Sequence, residues 1–211
     1  MSIFGAIFSG ISNVLSVVAN TFAPLLSKIL GPTLEKLGRA FEAFFRELGL
    51  IEPEEKVDEI GDRALQAEVD EVNPVRIETF DNHEKYLAAL KEYEPNPEQS
   101  ALIPQDDKMH KGLEILLGMA IARYGQQMGE FGQIVLNNPE FYSQLGRLAA
   151  LGNIARDNTE TFGDIVNYIA GKSMSSEKSD VAIDALIDVE KKVNPEATDA
   201  EIVKTVSDMK K

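Results

Sequence analysis

The sequence predicts an all-α chain: a multi-helix bundle with an N-terminal amphipathic helical hairpin or bent rod and a small C-terminal helical pair. Apolar residues recur at spacings of three and four along most of the chain, the period of a helix with one buried face. Asn-Pro pairs punctuate the sequence at residues 73, 96, 138 and 194, where asparagine can cap free amides and proline suits a first helical turn. With 211 residues and 44% hydrophobic content there is enough apolar material for one principal core with extensions. The composition divides the chain into an N-terminal segment (1–51), an acidic helical connector (52–105), a central helical core (106–172) and a C-terminal hairpin (173–211).

The first 30 residues carry an apolar stripe of Phe4, Phe8, Ile11, Leu15, Val18, Phe22, Leu25 and Ile29, widened by Ile3, Ile7 and Val14. The opposite face holds Ser2, Ser9, Ser12, Asn13, Ser16, Asn20 and Ser27, and no side chain before Lys28 is ionisable. Pro24 and the Gly31-Pro32 pair should kink or interrupt the helix, because proline has no amide to donate and its ring clashes with the preceding turn. From Thr33 to Ile51 a second amphipathic stretch gathers Leu34, Leu37, Phe41, Phe44, Phe45, Leu48 and Ile51 on one face and Glu35, Lys36, Arg39, Glu42, Arg46 and Glu47 on the other.

Pro53, Glu54 and Glu55 read as a first helical turn, with carboxylates at the positive end of the dipole and the helix running to about Val72. Val75 to Phe80 alternates as a short strand or extended linker does, and Asp81 with Glu84 has capping-box spacing for a helix through Tyr93. Pro95, Pro97 and Pro104 mark a loop. Asp106 to Asn137 reads as the longest helix, at the centre of the core, with Met109, Leu113, Leu116, Leu117, Ile121, Tyr124, Met128, Phe131 and Val135 on a broad apolar face. Its small residues Gly118, Ala122, Gly125 and Gly129 imply close packing, since each glycine in an exposed helix interior costs about 1 kcal/mol relative to alanine. Helices are expected over Pro139–Ile154, with Phe141, Leu145, Leu148 and Leu151 inward, and over Thr159–Ala170 with Gly171 as C-cap. Glu177 to Val193 and Thr198 to Lys211 complete the C-terminal pair, the last helix opened by a Thr198/Glu201 capping box.

The net charge of -14, and a stretch from 52 to 110 with 17 acids against 6 bases, disfavours nucleic acid as a partner, because phosphates need clustered Lys and Arg. The absence of cysteine removes disulfides, thiolate metal sites and thiol nucleophiles. His83 and His110 are the only histidines, and neither has a companion at ligand spacing; each is expected at the surface or as a cap. No phosphate loop, dinucleotide fingerprint or nucleophile elbow is present. The sequence therefore names no catalytic residue, metal site or cofactor.

The uncharged face of the N-terminal stripe is its most distinctive feature. Such a segment can lie in a lipid interface, line an oligomer or occupy a protein groove. In general style the opening Met1-Ser2-Ile3-Phe4-Gly5, followed by apolar residues punctuated by Ser and Gly, resembles the N-termini of bacteriophage virion proteins and of bacterial translocated proteins. That resemblance covers about 30 residues and transfers no functional residue; it implies a bacterial or phage origin. Because the N-terminus has neither the basic n-region nor the small-residue cleavage site of a secretory signal, its removal is not expected. The expectation is a non-enzymatic interaction or structural protein, a component or cargo of a secretion apparatus or virion. Residues 1–51 would dock or insert into a protein partner or a lipid membrane, with homo-oligomerisation as a further route. A membrane-permeabilising secreted effector is the alternative, and a carboxylate-dependent hydrolase is a third class.

Overall fold

A computed structural model describes residue 14, residues 18–144 and residues 146–210. Among the described residues there are twelve α-helices and no strand, as the apolar period requires. They are α1 (Ala23–Leu26), α2 (Gly31–Glu47), α3 (Val57–Val69), α4 (His83–Glu92), α5 (Pro97–Ser100), α6 (Gln105–Tyr124), α7 (Gln126–Asn137), α8 (Pro139–Tyr142), α9 (Arg147–Asp157), α10 (Thr159–Ile169), α11 (Ser176–Val193) and α12 (Asp199–Met209).

α6 is the axis of the body, with Met109, Leu113, Leu116, Leu117 and Ile121 all buried. α3 crosses it with the two backbones in contact. A methyl group placed on Gly61 would overlap the carbonyl of Lys108 and lie 2.7 Å from the amide nitrogen of Gly112, and one on Gly112 would overlap the carbonyl of Val57. α2 lies against α6 and α9 and supplies an aromatic cluster. Phe44 stands 5.3 Å from Phe131 between ring centroids, and Phe131 stands 5.1 Å from Phe162, which ties α2, α7 and α10 together. α10, α11 and α12 pack in succession, so the C-terminal pair docks on the core, and one connected apolar cluster runs from Val18 to Met209.

Several boundaries differ from the sequence expectation. The helix expected over 106–137 is broken at Gly125, whose φ of 87° and ψ of -172° belong to backbone open essentially to glycine alone. The helix expected over 139–154 is likewise interrupted at Gly146, which is left-handed with φ 86°. Pro53 to Glu55 do not open α3. Its first amide, that of Val57, is instead capped from another helix by the Glu42 carboxylate at 3.1 Å. α3 stops at Val69 rather than Val72 because the Asp70 carboxylate accepts from the amides of Val72 and Asn73 at 2.8 and 2.9 Å and turns the chain.

In place of a short strand or extended linker there is a 3-10 turn at Ile77–Thr79. The Asp81/Glu84 box is not formed: Asn82 caps α4 by accepting from the Lys85 amide at 2.9 Å. Within the expected proline loop Asn96 caps the short α5. No helix starts at Pro74 or Pro195, and Asn138 precedes α8 without a side-chain cap bond. The Thr198/Glu201 box and the Gly171 turn, with φ 68°, are present as the sequence predicts.

Candidate functional site

The N-terminal segment meets the body along a seam on α6 and α7. Before α1 the chain makes a wide π turn, Val18–Phe22, and Pro24 then occupies the first turn of α1, where its missing amide costs nothing. Leu30 is extended and Gly31 has φ 56°, so the chain turns before α2 as the Gly31-Pro32 pair implies. The joint is pinned from α6: a His110 ring nitrogen lies 2.9 Å from the Ile29 carbonyl, and the Gly31 amide donates to Asp106 at 3.0 Å. His110 thus has the capping role expected of it.

The glycines of the central helices form the floor of the seam. A methyl on Gly132 would come within 2.9 Å of the Phe22 ring. One on Gly118 would meet Val18 at 3.3 Å, Val14 at 3.6 Å and the Nε2 of His83 at 3.8 Å. Gly118 and Gly132 are therefore notches that receive the N-terminal segment, with Phe22 wholly buried and Val18 9% exposed. Of the other small residues expected to pack, Gly129 is buried, whereas Ala122 is exposed and Gly125, at the helix break, faces open space. Their spacing does not make one continuous seam, because the break at Gly125 rotates the helix that follows.

His83 departs from its expected surface or capping position. It is 5% exposed at the start of α4, and its Nε2 has no hydrogen-bond partner. Burial alone pushes the imidazole below its ordinary value of 6.5.

The apolar residues named for membrane or partner engagement divide into two groups. Val18, Phe22, Ile29, Leu34, Leu37, Phe41, Phe44, Phe45 and Leu48 are buried in the protein's own core, and Leu25 is half-buried against it. In this conformation those side chains are not a docking face; their stripe is amphipathic because α2 and the seam face α6, α7 and α9. Phe4, Phe8, Ile11 and Leu15 lie outside the described residues, as does Leu145.

Apart from His83, the buried polar side chains of the body have hydrogen-bond or ion-pair partners. Arg147 and Glu190, 2% and wholly unexposed, form a two-pronged ion pair at 2.6 and 2.7 Å. Arg147 also stacks over Phe141 at 3.8 Å, and Asn194 donates to Glu190 at 3.0 Å. Neither charge was singled out from the sequence, although Glu190 sits on the apolar stripe of Ala182, Leu186 and Val189, an acid where the pattern asks for an aliphatic residue.

Asp62, Gln66, Ser100 and Lys108 form a second network at the α3–α6 crossing, with Lys108 2.8 Å from the Ser100 hydroxyl and 3.4 Å from Asp62. Burial works against charge on Asp62, but hydrogen bonds from Ser100 and Gln66 and the Lys108 ammonium hold it below its usual 3.8. The seryl proton goes to Asp62, while Lys108 donates to the Ser100 hydroxyl oxygen, so the hydroxyl is turned toward the carboxylate and not toward the lysine nitrogen.

Glu114, on α6 one turn before Gly118, is raised above its ordinary value by burial, an effect opposed by Lys111 and His110 and reinforced by Glu68. Among the described residues no group of three or more His, Asp or Glu is placed to hold a metal ion, and no helix is long and apolar enough to cross a membrane. No protein-family model, curated protein or solved structure matches the chain.

Proposed function

We propose that this chain is a non-enzymatic interaction protein, whose helical body carries an uncharged apolar N-terminal segment that engages a lipid membrane or a partner assembly. The observation that carries the reading is a sequence one: Phe4, Phe8 and Ile11 continue the stripe that enters the seam at Val14, opposite a face of small uncharged polar residues. Two features of the body support it. Val18, Phe22, Ile29, Leu34, Leu37, Phe41, Phe44, Phe45 and Leu48 are committed to the core, which narrows the engaging part of the stripe in residues 1–51 to its beginning. The buried carboxylates Glu42, Asp62, Asp164 and Glu190 each have partners, as structural groups do. A component or cargo of a bacterial secretion apparatus or a virion fits this division into a packed body and an apolar leading segment.

Co-flotation with vesicles at about pH 5 tests the reading, using the full chain and a full-chain variant carrying Phe4→Ser, Phe8→Ser and Ile11→Ser, each with neutral and with anionic lipid. Flotation of the natural chain, insensitive to lipid charge and lost in the triple variant, is the expected outcome. Equal flotation of both chains would overturn the membrane form of the reading, and so would failure of both, which moves the segment to protein capture. Release of an entrapped dye alongside flotation would identify a permeabilising protein; flotation without release identifies an anchor.

A further inference from the structure

We propose that the seam is a proton-operated latch, in which protonation of His83 opens the packing of Val14 and Val18 over Gly118 and frees the N-terminal segment from the body. Three elements converge on one notch. Gly118 of α6 forms its floor, Val14 and Val18 cover it, and the Nε2 of His83 enters it from α4. His83 is 5% exposed, and that nitrogen has no partner. A neutral ring tolerates this surrounding, whereas an imidazolium would place a second N–H and a full charge among valine methyls with no acceptor. The least costly remedy is local: the contacts of Val14 and Val18 over the notch open more readily than the packing of α6, and water then reaches the ring.

No neighbouring charge relieves the protonated ring. Around α4, Tyr86 is titratable and Glu68 of α3 and Glu78 act on it, while Glu68 pairs with Lys111 of α6, which in turn acts on Glu114. Glu114 responds to Lys111, His110 and Glu68, not to His83. Beside α4, Asp81 and Lys85 pair with each other at 2.7 Å, and Glu84 follows His83 in the first turn. The N-terminal segment has no ionisable side chain up to residue 27. Burial is accordingly the one influence on the ring, and it acts against the proton.

The direction follows from linkage. A histidine whose value is lowered in the closed form leaves that form at full strength above 6.5, the ordinary value, and weakens it progressively as the pH falls below 6.5. Between about pH 7.5 and about pH 5 the open population rises by up to about 30-fold, the limit reached when the closed form takes up no proton. The biological use of the latch rests on the proposed function, since an acid-released segment matters when that segment engages something; the opening itself is measurable without lipid.

The chain has no tryptophan, so Thr21→Trp, at a half-buried position between Val18 and Phe22 that does not enter the Gly118 notch, introduces a single indole at the seam. Acrylamide quenching of that indole is compared at about pH 7.5 and about pH 5 in chains with His83, with His83→Leu and with His83→Gln, the fold being followed by far-ultraviolet circular dichroism. Quenching that rises several-fold on acidification with His83, at constant helicity, and stays level in whichever non-titrating variants fold, is expected. An equal rise with and without the histidine would overturn the latch, as would no rise with His83.

A proton NMR titration of the two imidazoles in the unaltered chain provides an independent measurement: His83 should titrate below 6.5, and titration at or above 6.5 would overturn the proposal. Vesicle flotation separates the two readings. Opening without flotation leaves the latch standing and removes the membrane form of the proposed function; flotation at both pH values with no change in quenching removes the latch alone.

Discussion

The Arg147–Glu190 pair shows how much a single buried residue can matter in this body. Both side chains are out of water; Arg147 donates twice to Glu190 and once to the Phe141 carbonyl, lies over the Phe141 ring, and Asn194 donates to Glu190. Glu190→Ala would strand the guanidinium, and breaking a buried pair from one side costs about 3–5 kcal/mol. Urea unfolding should show that loss, while Arg39→Ala, which breaks an exposed pair with Glu35, should change stability by at most about 1 kcal/mol. A comparable loss from both would mean that the buried pair has no special standing. This interaction was out of reach of the sequence: Glu190 interrupts an apolar stripe, but nothing local indicates that its partner lies 43 residues upstream. His83 was hidden for the same reason, since its burial depends on α6 and the N-terminal segment rather than on its neighbours in α4.

At the scale of elements, helical stretches were legible wherever the apolar period was long, and their ends were legible where the cap is local, as at Thr198 and Gly171. The failures occur where a distant group or a glycine decides. α3 starts at Val57 because Glu42 of α2 reaches its first amide, and α6 ends at Tyr124 because Gly125 leaves helical geometry although the apolar period continues through it. The glycines also packed differently from the expected series. The tightest approach is between Gly61 and Gly112, which the sequence left unmarked because Gly61 stands alone in α3 and Gly112 lies outside the four-residue spacing of the series that starts at Gly118. Gly112→Ala would drive a methyl into the Val57 carbonyl and separate α3 from α6, at a cost of about 1–3 kcal/mol, the range for overpacking a core. Gly49→Asn, at a left-handed position with open space around it, should cost less than 1 kcal/mol by comparison. Thermal melts of the two variants check the contrast, and equal losses would show that the α3–α6 approach can relax.

For the whole molecule, the body meets the leading segment at two glycine notches, and Gly118 is the one beneath Val14 and Val18. Gly118 leaves a notch that Val14 and Val18 fill, so the side chain at position 118 sets how well the segment is held. Alanine there would meet Val18 at 3.3 Å, a contact relieved by a shift of a few tenths of an ångström, and the segment should remain seated. Gly118→Ile would fill the notch with the atoms of a branched side chain and displace the valines, costing the seam about 1–3 kcal/mol while the α3–α6 crossing and the aromatic cluster remain intact. The isoleucine variant should therefore float with vesicles at neutral pH to the extent that the natural chain does only in acid, and its flotation should lose most of its pH dependence. The alanine variant should behave as the natural chain does. If the isoleucine variant is folded yet floats no better than the natural chain at neutral pH, the notch does not hold the segment back. Release from the body would then not limit engagement, and the control would have to lie elsewhere in residues 1–51.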